Sequence, residues 1–299
     1  MTSILFHLGY QKTGTSTLQR SLFVDHPDIN YMSPNADGTT PVLNDPLTER
    51  FHKTIPVAGD DKRAEAQRIW QDHMSSYLDP DRLNLVSEEG FMVGSAGPEE
   101  VRDRVAALSP QPEVMFVLRR QQDLIRSLYD MFPTIDRRDH GTAKVDPLDA
   151  YIDHMLVDPV FAPYLRYAER IAQAQALFGE DRVHVFTFAE IYKTRAGVPR
   201  LAKVLGIPAA DILAAISGPA VHDFAMYGAR RRIRRILGPV KGSWFLPVSV
   251  LRRINAWLGR AAGLKRTTLP PEEEAKIAAF FADDTARLSR LMPELGPLS

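Results

Sequence analysis

The chain has 299 residues, 44% of them hydrophobic and 25% charged, with no cysteine and a formal net charge of +0 at pH 7. That length and apolar content suffice for one large buried core, while the missing cysteines exclude disulfides, thiolate metal sites and catalytic thiols. No run approaches the roughly 18 apolar residues of a membrane span, and the first apolar segment begins close to Met1, so neither a signal peptide nor a transmembrane helix is expected and a cytoplasmic location is.

Ile4, Leu5, Phe6 and Leu8 make the short apolar run of a central strand, and Leu18 and Leu22 then recur at helical spacing. The helix, from about Thr15 to Phe23, is expected to stop at His26-Pro27, because proline disfavours continuation. Residues from about Asp28 to Asp60, rich in Pro, Asn, Asp, Gly and Thr, read as a long irregular excursion of the kind that often handles substrate. A polar helix follows from about Asp61 to Tyr77, then a short strand at Leu83–Ser87 that delivers Glu88 and Glu89 to its C-terminal end. Pro98 and two glutamates open another helix. Glu113–Leu118 is the clearest strand, and a helix leaves it over about Gln122 to Met131. Asp136–Gly141 is a charged loop, helices are expected near 146–157 and 162–178, Arg182–Phe188 is a fourth strand, and the chain beyond about residue 190 reads as helical.

Strands this apolar, separated by helices, imply an α/β fold with a parallel sheet covered on both faces. Ligands of such sheets gather at the strand C-terminal ends, where Lys12, Glu88 and Arg119 all lie. One domain spanning 1–299 is expected, with its core over about 1–210 and a helical, basic portion over about 211–299.

Between the first strand and helix, Gly9 and Gly14 let the backbone turn with its N–H groups converging, and Thr13, Thr15, Ser16 and Thr17 add hydroxyls at a helix N-terminus. That is a cradle for an anion. In the familiar nucleotide loop G-x-x-x-x-G-K-[ST] the lysine follows the second glycine; here Thr15 holds that place and Lys12 stands two residues before Gly14. A second constellation runs from Val117 to Tyr129. Arg119 ends a strand and Ser127 lies eight residues later in the next helix, a guanidinium fork and a hydroxyl suited to a doubly charged phosphate.

Lys12-Thr-Gly-Thr-Ser16 after a strand resembles the 5′-phosphosulfate loop of the sulfotransferases that use PAPS (3′-phosphoadenosine 5′-phosphosulfate), and Arg119 with Ser127 resembles the pair that holds the 3′-phosphate there. Looser echoes follow in Tyr164-Leu-Arg-Tyr167, in Phe178 to Glu190, in Leu201 to Ile207 and in Phe281 to Leu288. The family's frequent Arg-Asn/Asp-Pro is replaced by Arg119-Arg120-Gln121. The resemblance implies a P-loop NTPase-like sulfotransferase fold with a helical C-terminal part. It also implies PAPS as co-substrate, 3′,5′-ADP as product and no metal. Gln11, Lys12, Thr13, Gly14, Thr15, Ser16, Thr17, Arg119 and Ser127 would bind the nucleotide. Lys12 would meet the charge on the leaving phosphate oxygen. A histidine or glutamate base serves the acceptor in that family, and Glu88 is the choice, with Glu89, Asp37 and His140 as alternates. His7 reads as a core histidine. The acceptor would be a hydroxyl or amine on a small molecule or glycan, a lipid-linked one included.

Between Asp223 and Glu272 there is no Asp or Glu, yet eleven Lys and Arg. Arg230 to Arg235 precede Val250, Leu251, Ile254, Trp257, Leu258 and Ala261 at helical spacing. Residues 224–271 read either as a helix covering the core with snorkelling arginines or as a peripheral contact with an anionic membrane or polymer. Lys241-Gly242 is a further candidate for the 3′-phosphate. No nucleic-acid partner is expected. Two other functions stay open: a small-molecule kinase on the same cradle, which needs Mg²⁺ ligands and usually a lysine after the second glycine, and a non-enzymatic basic module.

Overall fold

The computed structural model describes residues 4–33, 46–88, 98–109, 111–131, 146–218, 267–296 and 298. Five strands, β1 (Ile4–His7), β2 (Ile29–Tyr31), β3 (Leu83–Ser87), β4 (Glu113–Leu118) and β5 (Val183–Thr187), form one sheet in the order β2-β3-β1-β4-β5. All four pairings are parallel. Every carboxyl end therefore lies on one edge. β1 and β4 are buried nearly end to end, which is why they read as nearly continuous apolar runs rather than alternating ones.

The helices are α1 (Thr15–Leu18), extended by a π turn at Gln19–Phe23, α2 (Pro46–Thr54), α3 (Asp60–Asp72), α4 (Pro98–Leu108), α5 (Gln121–Met131), α6 (Leu148–Val157), α7 (Phe161–Tyr164), α8 (Tyr167–Phe178), α9 (Val198–Leu205), α10 (Ala209–Ser217), α11 (Pro271–Phe280) and α12 (Ala282–Leu291). On one sheet face Leu5, Leu85, Met115, Val117 and Phe186 form a core with Leu18, Leu22 and Phe23 of the loop helix and with Val198, Leu201 and Leu205 of α9. The i, i+3, i+7 spacing of those α9 residues makes its buried stripe, and Gly206 ends it at φ 67°, in the left-handed region. On the opposite face Phe6 meets Trp70 of α3, which also packs on Phe51 of α2.

The described residues fall into two compact units, one within 1–120, 159–219 and 282–299, the other within 121–158 and 220–281. The sheet belongs to the first. There Arg104 of α4, fully buried, donates to the carbonyls of Thr54, Ile55, Val57 and Gly59, so one guanidinium satisfies the end of α2 and the turn into α3. Within the second unit, the Tyr129 and Tyr151 rings meet at 5.1 Å between α5 and α6, and Asp130 accepts from the Thr267 hydroxyl at 2.6 Å.

The excursion expected over Asp28–Asp60 holds two elements, β2 and α2. Neither announces itself. β2 is three residues long and buries a polar one, Asn30, through hydrogen bonds to the Tyr77 carbonyl and the Asn84 side chain. Half of what α2 buries is threonine, Thr48 and Thr54. The strand expected as the fourth is consequently the fifth, and the helix expected over 162–178 is broken between Tyr164 and Tyr167. Among the described residues no helix is long and apolar enough to cross a membrane.

Two histidines are sealed in the first unit. Burial lowers the His7 pKa from 6.5 to about 3, and it lowers that of His52 to about 4 despite the hydrogen bond to the Met32 carbonyl. Both are neutral when folded and gain a proton below about pH 6.5 when unfolded. The unfolded state thus binds more protons between about pH 4 and 6.5, and stability falls as pH falls through that window. The expected loss from pH 6.5 to 5 is roughly 2 kcal/mol per histidine. Thermal unfolding of His52→Gln should show a flatter pH slope there than the parent; identical slopes would contradict the assignment.

Candidate active site

The chain leaves β1 toward β2 at one side of the sheet and leaves β4 toward β5 at the other. The crevice at the carboxyl ends of β1 and β4 is therefore the switch point at which open α/β sheets take ligands. The loop that fills it has Lys12 at φ 65° and Gly14 at φ 85°. A lysine in the left-handed region costs on the order of 1 kcal/mol or more, so other contacts must hold it there.

Those contacts come from side chains. Arg119 Nη1 donates to the Lys12 carbonyl at 2.8 Å, and the Tyr192 hydroxyl donates to the Gly14 carbonyl at 2.6 Å. The Gln11 N–H donates to the Tyr164 hydroxyl at 3.1 Å, and the Thr13 hydroxyl to the Tyr10 carbonyl at 2.6 Å. Tyr10 packs on the rings of Tyr164 and Tyr167 at 4.5 and 4.8 Å. Burial pushes the Tyr167 hydroxyl well above its ordinary value of 10.0. It therefore stays a donor, to the Arg119 carbonyl at 2.8 Å. Tyr192 stacks on Phe188 at 4.9 Å, and the Arg119 guanidinium lies 4.8 Å from the Phe188 ring centre. A side chain at Gly14 would be strained at φ 85° and would have to displace the Tyr192 ring, 2.4 Å from its Cβ.

Of the residues singled out in the sequence, the first unit brings together the loop, Glu88 and Arg119 at the ends of the adjacent strands β3, β1 and β4. Gln11, Lys12, Gly14, Ser16 and Thr17 are half-buried, and Thr13 and Thr15 are buried. Since the Thr13 hydroxyl is engaged with Tyr10, a ligand would meet Thr13 through its backbone N–H. Glu88 is half-buried and its N–H donates to the His7 carbonyl at 3.2 Å. Ser127 is half-buried on α5 and belongs to the second unit. Asp37, Glu89, His140, Lys241 and the rest of 224–266 lie outside the described residues. Among the described residues no group of three or more His, Asp or Glu has the arrangement to hold a metal ion. Phe188 and Tyr192, four residues apart just after β5, are the pair in contact with the loop and Arg119 that sequence reasoning did not single out.

No protein-family model matches the chain, and no curated protein matches it by sequence. Solved structures do. A sulfotransferase from Alicyclobacillus acidocaldarius matches with a TM-score of 0.53 at 16% identity, over 98% of this chain and 96% of its own. The sulfotransferase domain from the curacin biosynthetic pathway matches with a TM-score of 0.48 at 15% identity, over 94% of this chain and 98% of that domain. The fold of this chain is the sulfotransferase fold: a parallel five-stranded sheet flanked by helices.

Proposed function

We propose that the protein is a PAPS-dependent sulfotransferase that acts on a hydroxyl or amine of a small molecule, a carbohydrate or lipid-linked glycan included. The observation that carries this reading is the loop itself: Lys12 and Gly14 in left-handed conformations, fastened by Arg119 at the switch point of the sheet. Backbone N–H groups at the start of α1, hydroxyls, an ammonium and a guanidinium are donors or cations, the set that suits phosphate and sulfate oxygens. The likeness in fold to a sulfotransferase supports the same reading, and Thr15 in place of a lysine after Gly14 argues against a kinase.

PAPS would supply an activated sulfuryl group. Lys12 would stabilise the negative charge left on the 5′-phosphate oxygen as its bond to sulfur breaks. The Glu88 carboxylate would accept the proton that the acceptor oxygen or nitrogen loses as it bonds to sulfur. Arg119 would take the 3′-phosphate, the role that the sequence motif also assigns to Ser127.

Retention on immobilised 3′,5′-ADP and on ATP, each with and without Mg²⁺, tests the proposal. Magnesium-independent retention on 3′,5′-ADP is expected. Retention on ATP alone, dependent on Mg²⁺, would favour a kinase, and retention on neither would end both readings. Labelled PAPS with a panel of phenols, sugars, lipid glycans and amines, read by mass shift, then identifies the acceptor.

A further inference from the structure

Ser87 ends β3, directly before Glu88. Its surroundings are polar yet sealed: Ser87 is 2% exposed and His7, its partner across the β1–β3 pairing, is 0% exposed. The Ser87 hydroxyl lies 2.8 Å from His7 Nδ1 and accepts from Gln19 Nε2 at 3.0 Å. The Ser87 N–H donates to the Ser33 hydroxyl at 2.6 Å, and the Glu88 N–H to the His7 carbonyl. Gln19 opens the π turn that continues the loop helix.

One placement of the protons satisfies this pattern. A hydroxyl has one proton to give. With Gln19 donating to the Ser87 oxygen, the arrangement that gives the Ser87 proton an acceptor sends it to His7 Nδ1, with the imidazole carrying its own proton on Nε2. A protonated His7 would turn Nδ1 into a donor facing the same hydroxyl, but burial keeps the ring neutral. His7 Nε2 is buried with no hydrogen-bond partner. Leaving such an atom unsatisfied costs about 1–3 kcal/mol, which an aliphatic side chain at this core position would avoid. What the imidazole supplies in return is its other nitrogen, the acceptor that fixes the Ser87 hydroxyl.

We propose that His7, Ser87 and Gln19 are positioning residues for Glu88: they fasten the end of the acid-bearing strand to the helix that starts at the phosphate cradle, so that base and cradle keep one separation. The inference rests on the reading of Glu88 as the base. Proton transfer and in-line attack tolerate misplacement of only about 0.5 Å, and Ser87 is the residue directly before Glu88.

Two variants test this, Ser87→Ala from the buried side and Gln19→Met from the half-buried side; the second carries the test where the first lowers the yield of folded protein. Without any acceptor, hydrogen exchange of the Glu88 amide, followed residue by residue by NMR, should quicken by about tenfold or more in both, while the amides of Leu5 and Val117 keep their protection. With PAPS and the acceptor from the panel, kcat should fall by about tenfold or more at unchanged affinity for 3′,5′-ADP. Placed in the Glu88→Gln background, neither substitution should lower the residual rate further, because a residue that acts through Glu88 then has nothing to act through. Unchanged exchange at Glu88, unchanged kcat, or an equal loss in both backgrounds would overturn the inference alone. A wild-type protein that neither binds 3′,5′-ADP nor turns over PAPS would overturn the proposed function and this inference with it.

Discussion

Lys12→Ala should cut turnover by at least about a hundredfold while 3′,5′-ADP still binds within a few fold. The substitution leaves the Lys12 carbonyl in place, and that carbonyl is what Arg119 holds. It also leaves a Cβ at φ 65°, so the backbone strain is the same before and after. The loss then reports the ammonium. Lys12→Gly separates the two effects further: it should be as inactive as Lys12→Ala but more stable, by about 1 kcal/mol, because glycine adopts the left-handed region freely. Single-turnover rates with calorimetric titration of 3′,5′-ADP decide it, and near-normal turnover in either variant would remove Lys12 from the chemistry.

Glu88→Gln is expected to lower transfer by about a hundred- to ten-thousandfold, with nucleotide affinity nearly unchanged. The amide keeps the size and hydrogen-bonding reach of the carboxylate but cannot take the acceptor's proton. A base works deprotonated, so the wild-type rate should rise with pH along one acid limb, and the variant should lose that limb. His7 does not confuse the profile, because its pKa is lowered to about 3 and it stays neutral wherever the limb would be measured above about pH 4. An active Glu88→Gln protein would pass the role to Glu89, Asp37 or His140.

The parts of the fold that could be read from the sequence are those whose stabilisation is local or strongly apolar. β4 appears at the expected residues because Val114 to Leu118 is an unbroken apolar run, and β3 because Leu83, Leu85 and Val86 are apolar between polar ends, although Asn84 interrupts them. The loop is legible because glycine and threonine between a strand and a helix serve few other purposes. β2 and α2 are hidden because their burial depends on partners far along the chain: Asn84 for Asn30, Met74 for Thr48. The site divides in the same way. Lys12, Glu88 and Arg119 announce themselves by type and place, but not the hydrogen bond between Arg119 and the Lys12 carbonyl, which spans 107 positions, nor Tyr192 on Gly14, which spans 178. His7 was expected in the core and lies there; its hold on Ser87 follows from the pairing of β1 with β3, which the sequence order leaves open.

The grip on those two carbonyls has a consequence for the opposite edge of the same peptides. A trans peptide unit is planar, with its C=O and N–H pointing opposite ways. Arg119 and Tyr192, by fixing the carbonyls of Lys12 and Gly14, also fix the directions of the Thr13 and Thr15 N–H groups, which point away from the side chains that hold them. In the proposed nucleotide site, the peptide planes that an anion would meet are oriented before it arrives. Little backbone entropy then remains to be lost on binding, and the association rate should respond to ionic strength, as charge attraction does, rather than wait on a rearrangement of the loop.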